Sequence, residues 1–222
     1  MKNKIDKLIS SGVKIQDPNR IDVRGQLECG SGVSIDINVI FEGDVVLGNN
    51  VKIGANCIIT DTKIGNGTEV KPFSLLEGAE IGASGFVGPY ARVREGSFIG
   101  DKVQLGNFIE IKNVQIGDGC RINHMTFIGD AELGANVTVG AGSITCNYDG
   151  KTTHKTVIES DSFIGSGTNL IAPLKVGKGS TIGSGSTIAE DVPKQKLTIA
   201  RNKQVTIENW AGPKNKPTDE NT

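Results

Sequence analysis

The feature that most constrains this chain is an apolar residue that returns every six positions, with occasional steps of five. The series comprises Ile35, Phe41, Leu47, Ile53, Ile59, Ile64, Val70, Leu76, Ile81, Val87, Val93, Ile99, Leu105, Ile111, Ile116, Ile122, Ile128, Leu133, Val139, Ile158, Ile164, Leu170, Val176, Ile182 and Ile188. A period of six is too long for a strand alone and does not match the 3.6-residue turn of a helix. The chain is therefore expected to combine short strands with regularly spaced corners.

Three strands and three corners per coil account for this period, with one large apolar side chain pointing inward on each face. This pattern is typical of a parallel β-helix built from hexapeptide repeats. Stacked coils lie about 4.8 Å apart and bury a continuous apolar column. The sequence therefore predicts an all-β solenoid of roughly nine coils, each of about 17–18 residues.

The regular geometry also predicts which residues lie above one another. Residues one coil apart should share a face, because each coil repeats the path of the one before it. The residues expected to stack on one face are Val93, Ile111 and Ile128, and those expected on the next are Leu105, Ile122 and Val139.

Composition supports this fold and excludes several classes of function. Thirty glycines and only 5% aromatic residues favour tight corners and disfavour a helical bundle. A net charge of −1 gives no indication of a nucleic-acid partner. The chain has no apolar run long enough for membrane insertion. Four cysteines without CxxC spacing indicate neither a metal site nor a disulfide framework, and they suit a reducing, cytoplasmic compartment.

The repeat predicts a central domain with flanks of different character. We expect an N-terminal helix and linker over residues 1–16, with the helix at Lys2–Ser11 capping the first coil. The β-helix domain should span residues 17–192. A C-terminal extension should follow over residues 193–222, with Val205–Trp210 packed outside the last coil and a disordered polar tail from Lys214.

The repeat is interrupted once, after Val139. The next aliphatic inward position after Thr145 is Ile158, so about seven extra residues should form a loop within residues 146–157, because a solenoid tolerates insertions at its corners. This loop contains Asn147 and Tyr148 followed by Asp-Gly, which is typical of a turn. A plain surface turn and a functional loop both remain possible.

Two cations should emerge from the same face on neighbouring coils. Arg94 and Lys112 are eighteen residues apart, and each follows an inward residue. Two cations this close repel unless an anion lies between them, and a phosphate dianion would suit. The alternative is that both are solvated surface residues whose charge Glu110 balances.

His124 lies two residues after the inward Ile122 and should occupy a corner. An imidazole there could accept a proton from an attacking amine, or it could be a hydrogen-bonded turn residue. Glu110 is a candidate catalytic partner that would orient the ring, and its alternative role is a salt bridge to Lys112.

Three runs of residues carry a resemblance to a known family. They are Gly88–Arg94 (GPYARVR), Gly106–Lys112 (GNFIEIK) and Gly140–Gly150 (GAGSITCNYDG). The chain resembles, from near Ile5 to Trp210, the C-terminal domain of the bacterial bifunctional N-acetylglucosamine-1-phosphate uridyltransferase/glucosamine-1-phosphate acetyltransferase. The resemblance implies a single-stranded left-handed parallel β-helix that assembles as a homotrimer, with active sites between neighbouring prisms.

The resemblance also implies acetyl transfer from acetyl-CoA to the amine of glucosamine-1-phosphate, a step in UDP-N-acetylglucosamine biosynthesis. His124 matches the general base of the family, and Arg94 and Lys112 match its sugar-phosphate ligands. Asn147 and Tyr148 match the loop that contacts substrate and acetyl-CoA. The positions that match further acetyl-CoA contacts are Ala141, Ser166, Ser184 and Arg201. Ser184 stands where the family commonly has Ala, a change that a backbone contact would tolerate.

The chain departs from the family on the acceptor side, where Phe127, Thr138 and Thr153 replace the usual Tyr, Asn and Lys. Phe127 lacks the hydroxyl that could bond a phosphate. One alternative is therefore an N-acetyltransferase for a different amino sugar or nucleotide sugar, and another is a non-catalytic trimeric scaffold. The glycine-rich nucleotidyltransferase domain of the bifunctional enzyme has no counterpart in this sequence, so uridylyl transfer is not expected from it.

Overall fold

The computed structural model describes residues 2–208 and residue 210. In this part the elements are α1 (Lys2–Ser10), β1 (Lys14–Ile15), a 3-10 turn (Pro18–Arg20), β2 (Ile21–Val23), β3 (Gln26–Cys29), β4 (Ser34–Ile35), β5 (Val39–Glu42), β6 (Asp44–Leu47), β7 (Lys52–Ile53), β8 (Ile58–Thr60), β9 (Lys63–Ile64), β10 (Glu69–Val70), β11 (Leu75–Glu77), β12 (Ala79–Ile81), β13 (Phe86–Val87), β14 (Arg92–Val93), β15 (Ser97–Ile99), β16 (Gln104–Ile116), β17 (Arg121–Leu133), β18 (Thr138–Val139), β19 (Ile144–Cys146), β20 (Thr156–Ile158), β21 (Phe163–Ile164), β22 (Asn169–Ile171), β23 (Leu174–Val176), β24 (Thr181–Ile182), β25 (Thr187–Ile188) and β26 (Leu197–Thr198). Within these residues there is no helix with the length and apolar character needed to cross a bilayer.

The strands stack in parallel on three faces of a prism, which is a left-handed β-helix. The first face contains β1, β4, β7, β10, β13, β18, β21, β24 and β26. The second face contains β2, β5, β8, β11, β14, β19, β22 and β25. The third face contains β3, β6, β9, β12, β15, β20 and β23. The long strands β16 and β17 run around all three faces and pair with each other along most of their length.

The core lies along the prism axis, as the six-residue period predicts. Every residue of the apolar series is buried, and so is Thr145. The predicted stacking is confirmed on one face, where Val93 pairs with Ile111 and Ile111 pairs with Ile128. It is confirmed on the next face by the register Leu105–Ile122–Val139.

Two corners of the prism position the residues of the site. At the first corner, which includes residues 106–108 and 123–125, the chain passes from the first face to the second. At the second corner, which includes residues 94–96 and 112–113, it passes from the second face to the third. Small side chains such as Ala91 and Ser143 are buried at the first corner, because a tight bend leaves no space for a large one.

The coiled region extends beyond the predicted 17–192 at both ends. Strand β1 pairs with β4, and β26 pairs with β24. The first coil contains a 3-10 turn, so its inward residues Ile15 and Val23 are eight positions apart and do not follow the six-residue period.

The N-terminal flanking segment follows the prediction made from the sequence, and the C-terminal segment does not. Helix α1 ends at Ser10, and its Ile5 is buried against the core. Val205 is 81% exposed and Trp210 is 72% exposed, so the prediction that Val205–Trp210 packs outside the last coil is wrong for the single chain. The final strand ends at Thr198, and Ala200 just beyond it still accepts a backbone hydrogen bond from Thr187 of β25 at 3.0 Å. The predicted disordered tail from Lys214 lies outside the described residues.

Candidate active site

His124 lies at the first corner, on the exposed side of the prism. Its ring nitrogen Nδ1 is 2.8 Å from Oδ1 of Asn107, which occupies the same position one coil earlier. The hydroxyl of the buried Thr126 donates to the backbone oxygen of His124 at 2.8 Å. Both the ring and the backbone of the candidate base are therefore held by neighbours.

Three residues with small side chains continue the same corner beyond His124. Ala141, Ser166 and Ser184 each lie two residues after an inward residue of the register Ile122–Val139–Ile164–Ile182. A Cβ on Gly140 would come within 2.5 Å of the backbone nitrogen of Ser166, so only glycine allows this close stacking. At the far end of this column, Nη1 of Arg201 donates to the carbonyl oxygen of Ser184 at 2.7 Å.

Arg94 and Lys112 lie at the second corner on neighbouring coils, as their spacing predicts. Nη1 of Arg94 is 3.2 Å from Oε1 of Glu110, and Nη2 is 3.9 Å from Oε1 of Glu95. The Nε atom of Arg94 is buried and has no hydrogen-bond partner among the described residues. Lys112 is half-buried. The site thus holds two cations on neighbouring coils, and one donor of Arg94 is unpaired within the part of the chain that the structure describes.

The second face connects the two corners. Glu110 points outward from it and lies in register with Phe127, which in turn lies in register with Ile144. Because Arg94 reaches Glu110, its guanidinium lies over this face rather than beyond the prism edge. Phe127 is only three residues from His124, so the cation and the imidazole approach the same face from its two ends.

The structure corrects the role expected for Glu110. Its carboxylate pairs with Arg94, whereas the ring of His124 is held by Asn107. Within the described part of the chain, no hydrogen bond or ion pair joins Glu110 to His124 or to Lys112. An outward residue in mid-strand points perpendicular to the face, whereas His124 lies at a corner, so the two side chains do not meet within one chain.

The inserted loop leaves the prism at the second corner, between β19 and β20. Nδ2 of Asn147 donates to Oδ2 of Asp130 at 2.5 Å, and Nδ2 of Asn113 donates to the other oxygen of that carboxylate at 2.6 Å. Tyr148 forms an antiparallel bridge with Thr153, and its side chain is 63% exposed. The two loop residues expected to bind substrate thus lie beside the cations and away from the column of Ala141.

A cluster at the tip closes this loop. Oδ1 of Asp149 accepts from the backbone nitrogens of Lys151 and Thr152, both at 2.8 Å, and Oδ2 lies 2.7 Å from Nε2 of His154. The hydrogen bond from Thr152, followed by those from His154 and Lys151, lowers the pKa of the Asp149 carboxyl well below its usual range. The carboxylate therefore stays ionised at neutral pH, and the hydrogen bonds that it accepts hold the loop conformation.

Two polar residues of the site, Asn107 and Asp130, were not found from the sequence. Each lies seventeen positions before the residue it contacts, His124 and Asn147 respectively. The coil length of about 17–18 residues could have identified both, because residues one coil apart lie above one another.

A ladder of exposed apolar side chains also went undetected. At the first corner Phe73 stacks on Tyr90 with ring centroids 5.0 Å apart, and Tyr90 stacks on Phe108 at 5.3 Å. Met125, next to His124, continues the ladder and is 63% exposed. These residues do not follow the six-residue period because they adopt left-handed backbone conformations at the bend, with φ near 60° at Phe73.

Two of the four cysteines, Cys57 and Cys120, are buried in the core. All four are free. Burial raises the pKa of the Cys57 and Cys120 thiols to about 11, so neither is a ready nucleophile at neutral pH.

Comparison with known proteins finds matches to two family models and to solved structures with a similar fold. The family described as "GMPPB C-terminal domain" matches residues 23–114, and the one described as "Bacterial transferase hexapeptide (six repeats)" matches residues 155–190. Among solved structures, an Arabidopsis UDP-N-acetylglucosamine acyltransferase superposes with a TM-score of 0.54 at 16% identity, covering 85% of this chain and 70% of that one. At that identity the likeness supports the fold alone. The two family models thus match separate parts of the chain, each less than half of its length.

The chain is also similar to proteins named "Bifunctional protein GlmU". The GlmU of Nitrosospira multiformis is 51% identical over 216 residues, which are 97% of this chain and 47% of that protein. The GlmU of Herminiimonas arsenicoxydans is 50% identical over 206 residues, 93% of this chain and 46% of that protein. The chain thus spans about half the length of the curated relatives it matches, and this is their C-terminal half.

Proposed function

We propose that this chain catalyses acetyl-CoA-dependent N-acetylation of glucosamine-1-phosphate, giving N-acetylglucosamine-1-phosphate, with His124 as the general base. The observation that carries the proposal is that Arg94 lies over the second face, toward the end where Asn107 holds the ring of His124. Glucosamine-1-phosphate has its phosphate and its amine on adjacent carbons. It therefore suits a face with a cation entering from one end and a base from the other.

Arg94 and Lys112 bind the phosphate in this proposal. The two side chains start on coils about 4.8 Å apart, and a dianion between them relieves their mutual repulsion. The buried Nε of Arg94 supplies a donor that has no partner among the described residues. Glu110, which now pairs with Nη1 of Arg94, holds the guanidinium in place before the phosphate arrives.

Acetyl-CoA binds along the first corner, beside His124. Ala141, Ser166 and Ser184 have small side chains, so a long, narrow chain can lie on them and bond to the exposed backbone. Arg201, at the far end of the column, is a further contact. The residues present therefore fit this co-substrate.

The reaction is direct transfer. The lone pair of the bound neutral amine forms a bond to the thioester carbonyl carbon, and Nε2 of His124 removes the proton that the nitrogen loses as this bond forms. The carbon–sulfur bond breaks, the sulfur leaves with the electron pair, and the imidazolium returns its proton to the thiolate. Holding the two substrates side by side contributes at least as much as the base does.

The active protein is proposed to be a homotrimer. The ladder Phe73–Tyr90–Phe108–Met125 is an exposed apolar stripe directly beside His124, and such stripes are typical of protein–protein interfaces. A neighbouring prism packed there could bring its own Asn147 and Tyr148 toward the column of Ala141. Asn147 and Tyr148 of that neighbour would then contact acetyl-CoA, although within one chain the same two residues lie away from the column.

The departures at Phe127, Thr138 and Thr153 support a second candidate. Phe127 lies on the second face, close to Asn147: each has an atom within 2.9 Å of the position that a Cβ on Gly129 would occupy. A phenyl ring there cannot donate to a phosphate. An N-acetyltransferase for a different amino sugar or nucleotide sugar is therefore the alternative.

The test is a thiol-release assay with acetyl-CoA and a panel of amino sugars that includes glucosamine-1-phosphate and unphosphorylated glucosamine. We expect the highest kcat/KM with glucosamine-1-phosphate. Release with another amino sugar but not with this one would establish the second candidate. His124→Ala should abolish turnover without changing the oligomer, whereas the matched control Lys63→Ala, on the third face, should keep it. An unchanged rate in His124→Ala would reject His124 as the base in both enzymatic proposals, whereas no CoA release by the wild type with any amino sugar would favour a non-catalytic scaffold.

A further inference from the structure

We propose that Asn107 is a positioning residue that selects the ring tautomer of His124. Its side-chain oxygen Oδ1 lies 2.8 Å from Nδ1 of the ring. Since an amide oxygen can only accept, this contact requires the proton on Nδ1 and leaves Nε2 unprotonated. The importance of this tautomer for turnover rests on the proposed function, whereas the tautomer itself does not.

The contact is built into the register of the prism. Asn107 and His124 are paired residues on β16 and β17. A Cβ on the preceding Gly106 would come within 2.0 Å of the backbone oxygen of Asn123, so glycine is required there for the two coils to lie this close. Backbone packing therefore sets the distance between the Asn107 amide and the His124 imidazole. This distance does not depend on the rotamers of a long side chain.

The backbone of His124 is fixed as well. Its carbonyl oxygen accepts from the Thr126 hydroxyl at 2.8 Å and from the backbone nitrogen of Gly142 at 3.3 Å. With ring and backbone both held, Nε2 is the ring atom left to face a ligand. The hydrogen bond made by one imidazole nitrogen determines the protonation of the other.

A neutral amide and a charged carboxylate act on a neighbouring imidazole ring in different ways. A carboxylate beside the ring would stabilise the imidazolium by its charge, whereas the Asn107 amide is neutral and can only orient and select. Glu110, the carboxylate expected to do this work, pairs with Arg94. The role of Asn107 is therefore to hold the unprotonated nitrogen toward the reacting amine before any charge develops.

The experiment is ring-¹⁵N NMR of the full chain at alkaline pH, where imidazole is neutral. The chain has two histidines, and the His124 signals are assigned by their loss in His124→Gln. We expect the Nδ1–H tautomer in the wild type and in Asn107→Asp, which keeps an acceptor, and its loss in Asn107→Leu. Asn107→Ala replaces the leucine variant if the latter does not fold.

Kinetics test the role of the tautomer separately. We expect kcat for CoA release to fall about 10- to 100-fold in Asn107→Leu, as for other hydrogen-bond partners of functional histidines, and to recover substantially in Asn107→Asp. An Nε2–H tautomer in the wild type, or the same tautomer in wild type and Asn107→Leu, would overturn the assignment. A changed tautomer with unchanged kcat would overturn the positioning role. If the wild type acetylates no amino sugar, the proposed function fails while the NMR result still decides the tautomer.

Discussion

The guanidinium of Arg94 lies 3.2 Å from the carboxylate of Glu110, on the second face of the prism. Both side chains are partly exposed, so the pair by itself adds little to stability. Its effect is to direct the cation along the face that leads to His124. The Arg94 side chain remains 28% exposed, so the pair leaves part of the guanidinium accessible to an anion.

This arrangement predicts that the cations act on the phosphate of the acceptor. Arg94→Met and Lys112→Met should each raise KM for glucosamine-1-phosphate by about 10-fold or more, since a charge-assisted hydrogen bond contributes about 1.5–3 kcal/mol. Neither change should alter KM for unphosphorylated glucosamine. The measurement is CoA release with both acceptors for each variant. An equal rise in KM for the two acceptors would show that these residues do not bind phosphate.

The inserted loop should show a defined pH dependence. The pKa of the Asp149 carboxyl is lowered in the folded protein, so the carboxylate stabilises the loop at neutral pH, and this stabilisation is lost as the pH falls below its usual range of about 4. Hydrogen exchange at the Lys151 and Thr152 amides should be faster in Asp149→Ala than in the wild type at pH 7. The difference should shrink in acid. The exposed carboxylate of Asp44, on β6, offers a control, because Asp44→Ala should leave these amides unchanged. A difference that grows as the pH falls would contradict this assignment.

The stacked column should dominate the stability of the prism. Ile111 is fully buried between Val93 and Ile128, so Ile111→Ala should lower the free energy of unfolding by about 2–5 kcal/mol. Ile171 lies on the second face and points outward, and Ile171→Ala should cost well under half as much. Urea denaturation of both variants provides the comparison. Similar losses in the two would mean that inward packing is not the main source of stability.

The sequence predicted the path of the chain closely because one physical requirement repeats along it. Every coil must bury one large side chain per face, so inward positions such as Leu105 and Ile122 are visible as a period of six. The same requirement revealed the insertion after Thr145. It failed at the first coil, where a 3-10 turn separates Ile15 from Val23 and breaks the period.

The polar contacts were harder to predict from the sequence, because several of them form at the corners of the prism. Outward positions show no periodic choice of residue type. From the sequence alone, Glu110 was therefore as suitable a partner for His124 as any other acidic residue nearby. The partner is Asn107, seventeen residues earlier, because the coil that joins them is one residue shorter than the eighteen-residue coil between Arg94 and Lys112. The exposed ladder of Phe73, Tyr90 and Phe108 was likewise hidden in the bends.

The sequence by itself determined the three-sided coil, its core and the location of the interruption, because burial of apolar surface acts on each short repeat independently of the others. The tertiary structure alone decided which polar groups meet, namely Asn107 with His124, Arg94 with Glu110 and Asp130 with Asn147. These contacts join neighbouring coils, and their geometry depends on the exact length and backbone conformation of each corner between them.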